Sequence, residues 1–164
     1  MHFVIDQPIA AERSAVERAL SDPAYYEGLG GLPGIGTPEV LGRKESGSTC
    51  EVEVRYAFVG DLSPAVRAVI DPAKLTWVIA TTYLFDEHTA RFTVEPDHYT
   101  NLLACAGTSR YDVGGDGTVH HVEGTLEVKV PIVGRSVERG ILGGLESHVA
   151  AEAEAIEHWV TAHA

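Results

Sequence analysis

The residues best placed to do chemistry in this 164-residue chain lie near its end. His148 falls on a run of apolar positions, seven after Ile141 and three after Leu145, and Glu152 follows four residues later. Side chains at i and i+4 meet on a helix. The two can therefore form an acid–base pair, an imidazole that titrates near neutrality beside a carboxyl. The plainer reading is a core histidine satisfied by a tyrosine or a backbone group. A stripe rotated by one residue leaves Glu152 in water, and water is the expectation for Glu152.

Other candidates carry less. His120 and His121 are adjacent in a strand-like run and so point to opposite faces. They cannot hold one metal ion together. There is no H-E-x-x-H and no cysteine pair at ligand spacing, so no metal site is expected. Cys105 beside His120 suggests a nucleophile and base, but no basic residues surround the thiol to lower its pKa. A small buried cysteine is the better reading. The stretch Gly28 to Gly36 lacks the Lys-Ser/Thr of a phosphate loop and does not lead from a strand into a helix. It reads as a mobile lid or entrance loop, and no cofactor is implied.

Regular elements must position these groups. Phe3 to Asp6 reads as a short strand, and Ala10 to Leu20 as a helix with Ala11, Ala15, Val16, Ala19 and Leu20 on one stripe. Asp22-Pro23 ends it and opens a second short helix that carries Tyr25, Tyr26 and Leu29. Six strands follow. From Cys50 to Phe58, apolar and charged residues alternate, which marks a strand with one wet face. The same alternation recurs at Leu75 to Phe85, Arg91 to Glu95, Leu103 to Val113 and Val122 to Val130. Ser63-Pro64 caps a short helical turn between two of these strands. Asp86-Glu87-His88 and Gly114 to Gly117 read as hairpin turns, so neighbours are antiparallel.

After Pro131 the period becomes helical to the end. Val137, Ile141, Leu145, His148, Glu152, Ile156 and Trp159 form the stripe, and Leu142, Val149 and Val160 widen it. A helix this long lies across the sheet and seals its apolar face. The fold class is α+β: a curved seven-stranded antiparallel sheet around a long C-terminal helix, with two short helices after the first strand. One domain over residues 1–164 is expected.

Composition narrows the partners. Lys plus Arg total 12 and Asp plus Glu total 24, giving a net charge of −12. That argues against nucleic acid and against docking on anionic lipid. No apolar run approaches the roughly 18 residues that span a bilayer, so no stable membrane insertion is expected. Met1 to Asp6 has no basic region before its apolar stretch, and Cys50 and Cys105 are the only cysteines. A secretion signal and a disulfide framework are both unlike this chain, and the cytoplasm is the expected location. Monomer and homodimer both stay open.

The order of elements resembles the START-like superfamily (SRPBCC, helix-grip), which includes lipid-transfer domains, birch-pollen-allergen relatives and polyketide cyclases. Ile5-Asp6-Gln7-Pro8-Ile9-Ala10, Val16 and Leu20-Ser21-Asp22-Pro23 are similar to its opening strand, helix and D-P break. Gly124-Thr125-Leu126-Glu127-Val128-Lys129-Val130-Pro131-Ile132-Val133-Gly134, with Glu138 one turn on, looks like an uncharacterised bacterial branch of it. Glu17 departs from the aromatic residue that many members carry there. The resemblance implies a cavity for a hydrophobic molecule and does not settle catalysis.

The residues themselves point the same way. Gly140, Gly143 and Gly144 crowd the last helix, and Cys105, Gly107, Ser109 and Gly124 are small inward strand positions. Small residues on both walls permit either very close contact or a void. Tyr56, Trp77, Tyr83, Phe92 and Tyr111 share the inward phase, and buried tyrosine hydroxyls want partners. With Ile141, Leu145 and His148 they form the expected ligand-binding set, mostly apolar with a few directional groups. The expected function is binding or transport of a small hydrophobic ligand, lipid, isoprenoid or polyketide-like. The alternative is a cyclase or dehydratase using His148 or a pocket tyrosine as acid or base. A packed interaction module without a cavity is the third reading.

Overall fold

Alternation builds the sheet. In β3 (Thr49–Ala57) Cys50, Val52, Val54 and Tyr56 are buried, while Glu51 and Glu53 face water. The computed structural model describes all 164 residues, and the same pattern shapes the other strands. They are β1 (His2–Ile9), β2 (Glu39–Ser46), β4 (Thr76–Leu84), β5 (Thr89–Pro96), β6 (Leu103–Gly114) and β7 (Gly117–Val128). Their spatial order is β1-β7-β6-β5-β4-β3-β2, with every neighbouring pair antiparallel. The first strand thus returns to pair with the last, and β1 and β2 form the two edges.

Register fixes one concave face. Cys50 lies opposite Tyr83, Val54 opposite Ile79 and Tyr56 opposite Trp77. Thr81 lies opposite Phe92, and Phe92 opposite Gly107. Tyr111 lies opposite His120, so His120 points inward and His121 outward, as adjacent strand residues must.

Two short helices bridge β1 and β2: α1 (Arg13–Leu20) and α2 (Pro23–Glu27). The Asp22 side chain accepts from the Ala24 N–H at 2.9 Å, and Pro23 takes the first helical position, where no N–H is needed. Between β3 and β4, Ser63 likewise caps α3 (Pro64–Arg67). The last element is α4 (Gly134–Ala162), 29 residues long. No helix of the structure is long and apolar enough to cross a membrane.

Glu17, the departure noted in the sequence, is buried on α1. Its carboxylate oxygens lie 3.0 and 3.1 Å from Nδ1 of His88, in the β4–β5 turn. The pair ties α1 to the sheet, and it explains how a charged side chain occupies this position.

Three expectations change. Gly28 to Gly36 is not a free lid: Leu29, Leu32 and Ile35 are buried in the core, and Ile35 bridges to Phe58. The glycines of α4 do not shape a wall. A methyl group on Gly140, Gly143 or Gly144 would meet nothing within 4 Å. The facing sheet glycines are already filled. A Cβ on Gly107 would lie 2.7 Å from Phe92 Cζ and closer still to the Glu123 carbonyl, and one on Gly124 would lie 2.7 Å from Phe3 Cζ. These two glycines face each other across β6 and β7 so that two phenyl rings can lie on bare backbone. Gly107→Ala is therefore expected to cost about 2 kcal/mol through overpacking. A urea unfolding midpoint compared with that of the parent protein measures this.

Candidate ligand site

The buried line of α4 is Glu138, Val149, Ala153 and Ile156. Leu142 packs beside it, against the group Phe3, Val122 and Leu126. This line sits against β1, β7 and α1, the elements that α4 approaches most. Glu138 belongs to it because its carboxylate accepts from the Val128 N–H at 3.0 Å, which fastens the helix to the end of β7. Ile141, Leu145, His148 and Glu152 lie one residue back, about 100° around the helix. They are only half-buried. One face of α4 packs, and the adjacent face looks along the concave sheet.

That sheet face is half-open too. Trp77, Ile79, Phe92, Val94, Leu103 and Cys105 all take the inward register and all keep accessible surface. The buried residues split into two groups. A large one joins α1, α2, β3, Tyr83, Tyr111 and the second half of α4, and a small one holds Phe3, Val122 and Leu126. One core with a smaller satellite is the ordinary pattern; what sets this face apart is that the inward side chains between the two groups stay accessible. Trp77 and Ile79 pack on the large group, and Phe92, Ile141 and Leu145 on the small one. The partly accessible inward face between the groups is the candidate site. The buried set Tyr83, Ala90, Tyr111 and His120 closes one end of this face, and the partly accessible Trp77 and Val94 stand at the other, where β4 starts and β5 ends.

The expected residues do converge on this face. Tyr56 is buried, its ring stacked on Trp77 at 6.1 Å and 18°. His148 meets the same tyrosine edge-on at 5.9 Å. Tyr83 and Tyr111 are buried deeper, and Tyr111 stacks on His120 at 4.7 Å. Phe92, Ile141 and Leu145 line the outer part. His148 is not the satisfied core histidine of the plainer reading, because its Nδ1 is buried without a hydrogen-bond partner.

Two expectations of the sequence fall short here. Glu152 was expected in water, yet it shares the inner face of α4 with His148, and no side chain or backbone group of the protein hydrogen-bonds its carboxyl. Burial pushes that carboxyl above its ordinary range, and His148, one turn away, pulls it back part of the way. Tyr25 and Tyr26 of α2, to which the sequence assigns no role, are both buried in this interior. The Tyr26 hydroxyl donates to the Leu20 carbonyl at 2.6 Å, whereas the Tyr25 hydroxyl is buried and unpaired. Two tyrosines just after the Asp22-Pro23 break were the available signal.

The electrostatics follow from this placement. Burial raises the phenols of Tyr25, Tyr26, Tyr56, Tyr83 and Tyr111 well above their ordinary range, and the Glu152 charge adds to the rise in all five. These phenols keep their protons at neutral pH and are hydrogen-bonding groups, not bases. The Cys105 thiol is pushed up to about 11 by burial, so it is no nucleophile at neutral pH. No lysine or arginine takes an inward position on β3 to β7. The one on the inner face of β2, Arg43, is occupied by the Ser21 carbonyl at 2.7 Å and Glu45 at 2.9 Å.

A carboxyl raised by burial holds its proton more tightly in the folded chain than in the unfolded one. Its cost to stability is absent at low pH and grows as pH rises through the folded value. Glu152→Gln removes that cost. It is expected to raise the melting temperature at pH 7 by about 3 °C, equivalent to about 1 kcal/mol. The gain shrinks towards zero at pH 4, and calorimetry at both pH values checks it.

A bent antiparallel sheet gripping a long terminal helix, with its concave face left partly open, is the helix-grip architecture of START-like proteins. The chain belongs to the DUF2505 family, described as proteins of unknown function, which it matches over residues 5–160. No curated protein matches it. Among solved structures it is similar to TTHA0849 from Thermus thermophilus, at 18% identity and a TM-score of 0.70 over 100% of this chain and 99% of that one. The Zhui aromatase/cyclase from Streptomyces sp. R1128 has 11% identity and a TM-score of 0.65, covering 98% and 93%. A START superfamily protein from Mycobacterium smegmatis has 21% identity and a TM-score of 0.56, covering 100% and 98%. These likenesses establish the fold.

Proposed function

We propose that this protein binds or carries a small hydrophobic molecule, lipid, isoprenoid or polyketide-like, in the gap between α4 and the concave face of β3 to β6. One observation carries the reading. Large apolar side chains, Trp77, Ile79 and Phe92 in the inward register of the sheet and Leu145 on α4, keep accessible surface where a packed domain would bury them. A ligand that covers them gains roughly 25 cal/mol per Å² of apolar area. Tyr56, Tyr83, Tyr111 and His148 supply the directional polar groups beneath. Native mass spectrometry of the purified protein, before and after organic extraction, tests this. A reproducible extractable adduct supports it. Protein that neither carries an adduct nor takes up any of a set of apolar molecules would refute it.

A second reading rests on the His148–Glu152 pair, an imidazole with an unpaired nitrogen one turn from a raised carboxyl. On it, the protein is a polyketide cyclase or dehydratase type of enzyme. His148 and Glu152 would exchange protons with a bound substrate, and the tyrosines would orient it as donors. Turnover of a bound polyketide-like ligand, lost in His148→Ala while binding persists, separates this reading from the first.

A further inference from the structure

Two polar atoms in the interior have no partner in the protein, the Tyr25 hydroxyl and Nδ1 of His148, and the half-buried carboxyl of Glu152 on the same face of α4 makes no hydrogen bond within the chain. Tyr25 is 1% exposed, so water does not satisfy its hydroxyl from the surface. An unpaired buried donor or acceptor costs free energy, and an unpaired buried carboxylate costs more. All three groups can accept a hydrogen bond: a carboxylate, a phenol oxygen, and an imidazole nitrogen whose ring carries its proton on Nε2. Around them stand the aromatic faces of Tyr56 and Trp77, stacked on each other, and those of Tyr26, Tyr83 and Tyr111. No lysine or arginine enters this space, since Arg43 is engaged with Ser21 and Glu45 at the β2 edge.

This arrangement has a chemical complement. A carboxylate with several acceptors and aromatic faces, and no lysine or arginine beside it, fits an organic cation. It repels a carboxylate or phosphate head, which would lie beside Glu152 with no lysine or arginine to neutralise it. The net charge of −12 steers cations toward the protein and anions away. We propose that the ligand is an apolar amine, its ammonium held by Glu152, Tyr25 and His148 and its body lying on Trp77, Phe92 and Leu145. This rests on the reading of the interior as a ligand site, and it excludes fatty acids and phospholipids from it.

Three probes with one apolar body test the head group: 4-phenylbutylamine, 4-phenylbutanol and 4-phenylbutyrate. Calorimetric titration at pH 7 and 0.5 M salt removes most of the general attraction of an acidic surface for cations. The amine is expected to bind at least tenfold more tightly than the alcohol, and the carboxylate more weakly than either. Glu152→Gln is expected to cut amine affinity at least tenfold and to leave the alcohol within threefold. Tyr25→Phe, which removes one oxygen and keeps the ring, is expected to weaken the amine a few-fold. An alcohol or carboxylate that binds as tightly as the amine overturns the proposal, as does an amine preference that survives Glu152→Gln. If none of the three binds, the ligand site itself is refuted and this proposal falls with it, an outcome distinct from binding without preference.

Discussion

Leu145→Trp is expected to weaken binding of 4-phenylbutanol by roughly 70-fold while the protein stays folded. Leu145 looks into the gap from the first half of α4 and keeps accessible surface. An indole there displaces about 100 Å² of ligand contact, about 2.5 kcal/mol at 25 cal/mol per Å², and that is the stated factor. Leu145→Ala supplies the opposite change at the same position. It enlarges the gap, so it keeps affinity within a few-fold and lowers stability. Titration calorimetry reads the affinities, and circular dichroism confirms the fold. Equal losses in both variants would place the ligand elsewhere.

Acid is expected to cost the protein about 3 kcal/mol through His120 alone. Its imidazole is buried, with Nε2 at 3.0 Å from Ser109 Oγ and its ring stacked on Tyr111. Burial first, and then the charge of His121, lower it from 6.5 to about 4. Between those values the unfolded chain binds a proton that the folded one refuses. The stabilisation is fully present above pH 6.5 and is lost as pH falls toward 4. The 2.5-unit interval at 1.36 kcal/mol per pH unit gives the magnitude. His120→Gln keeps a neutral hydrogen-bonding side chain beside Ser109 and is expected to flatten this part of the stability profile. Urea denaturation at pH 7, 5.5 and 4 measures both proteins.

Much of the sheet was legible because alternation over many residues leaves one solution. The even positions of Cys50 to Phe58 had to face one way, and they do. β2 was not legible. It is an edge strand, almost wholly exposed, with a register shift between Val40 and Gly42, so little burial marks its period. On α4 the apolar stripe was legible but its rotation was not. A stripe this broad contains both a packing line and a line facing the gap, and only the positions of β1, β7 and α1 decide which is which. Glu152 was lost in that ambiguity. The polar inner surface is illegible for a related reason: Tyr25, Tyr26, His148 and Glu152 come from two helices whose relative placement no local pattern encodes. The small inward residues do not open space. Gly107 and Gly124 accommodate Phe92 and Phe3, and α4 rests against β1 and β7 rather than β4 and β5, which leaves Trp77 and Phe92 partly accessible.

Acrylamide quenching of Trp77, in a Trp159→Phe variant that leaves it the sole tryptophan, probes the opening most directly. The expected result is efficient quenching in the free protein and protection once 4-phenylbutylamine or 4-phenylbutanol saturates it. An indole already shielded without ligand, or one whose quenching stays unchanged at saturation, would contradict an open gap between α4 and the sheet.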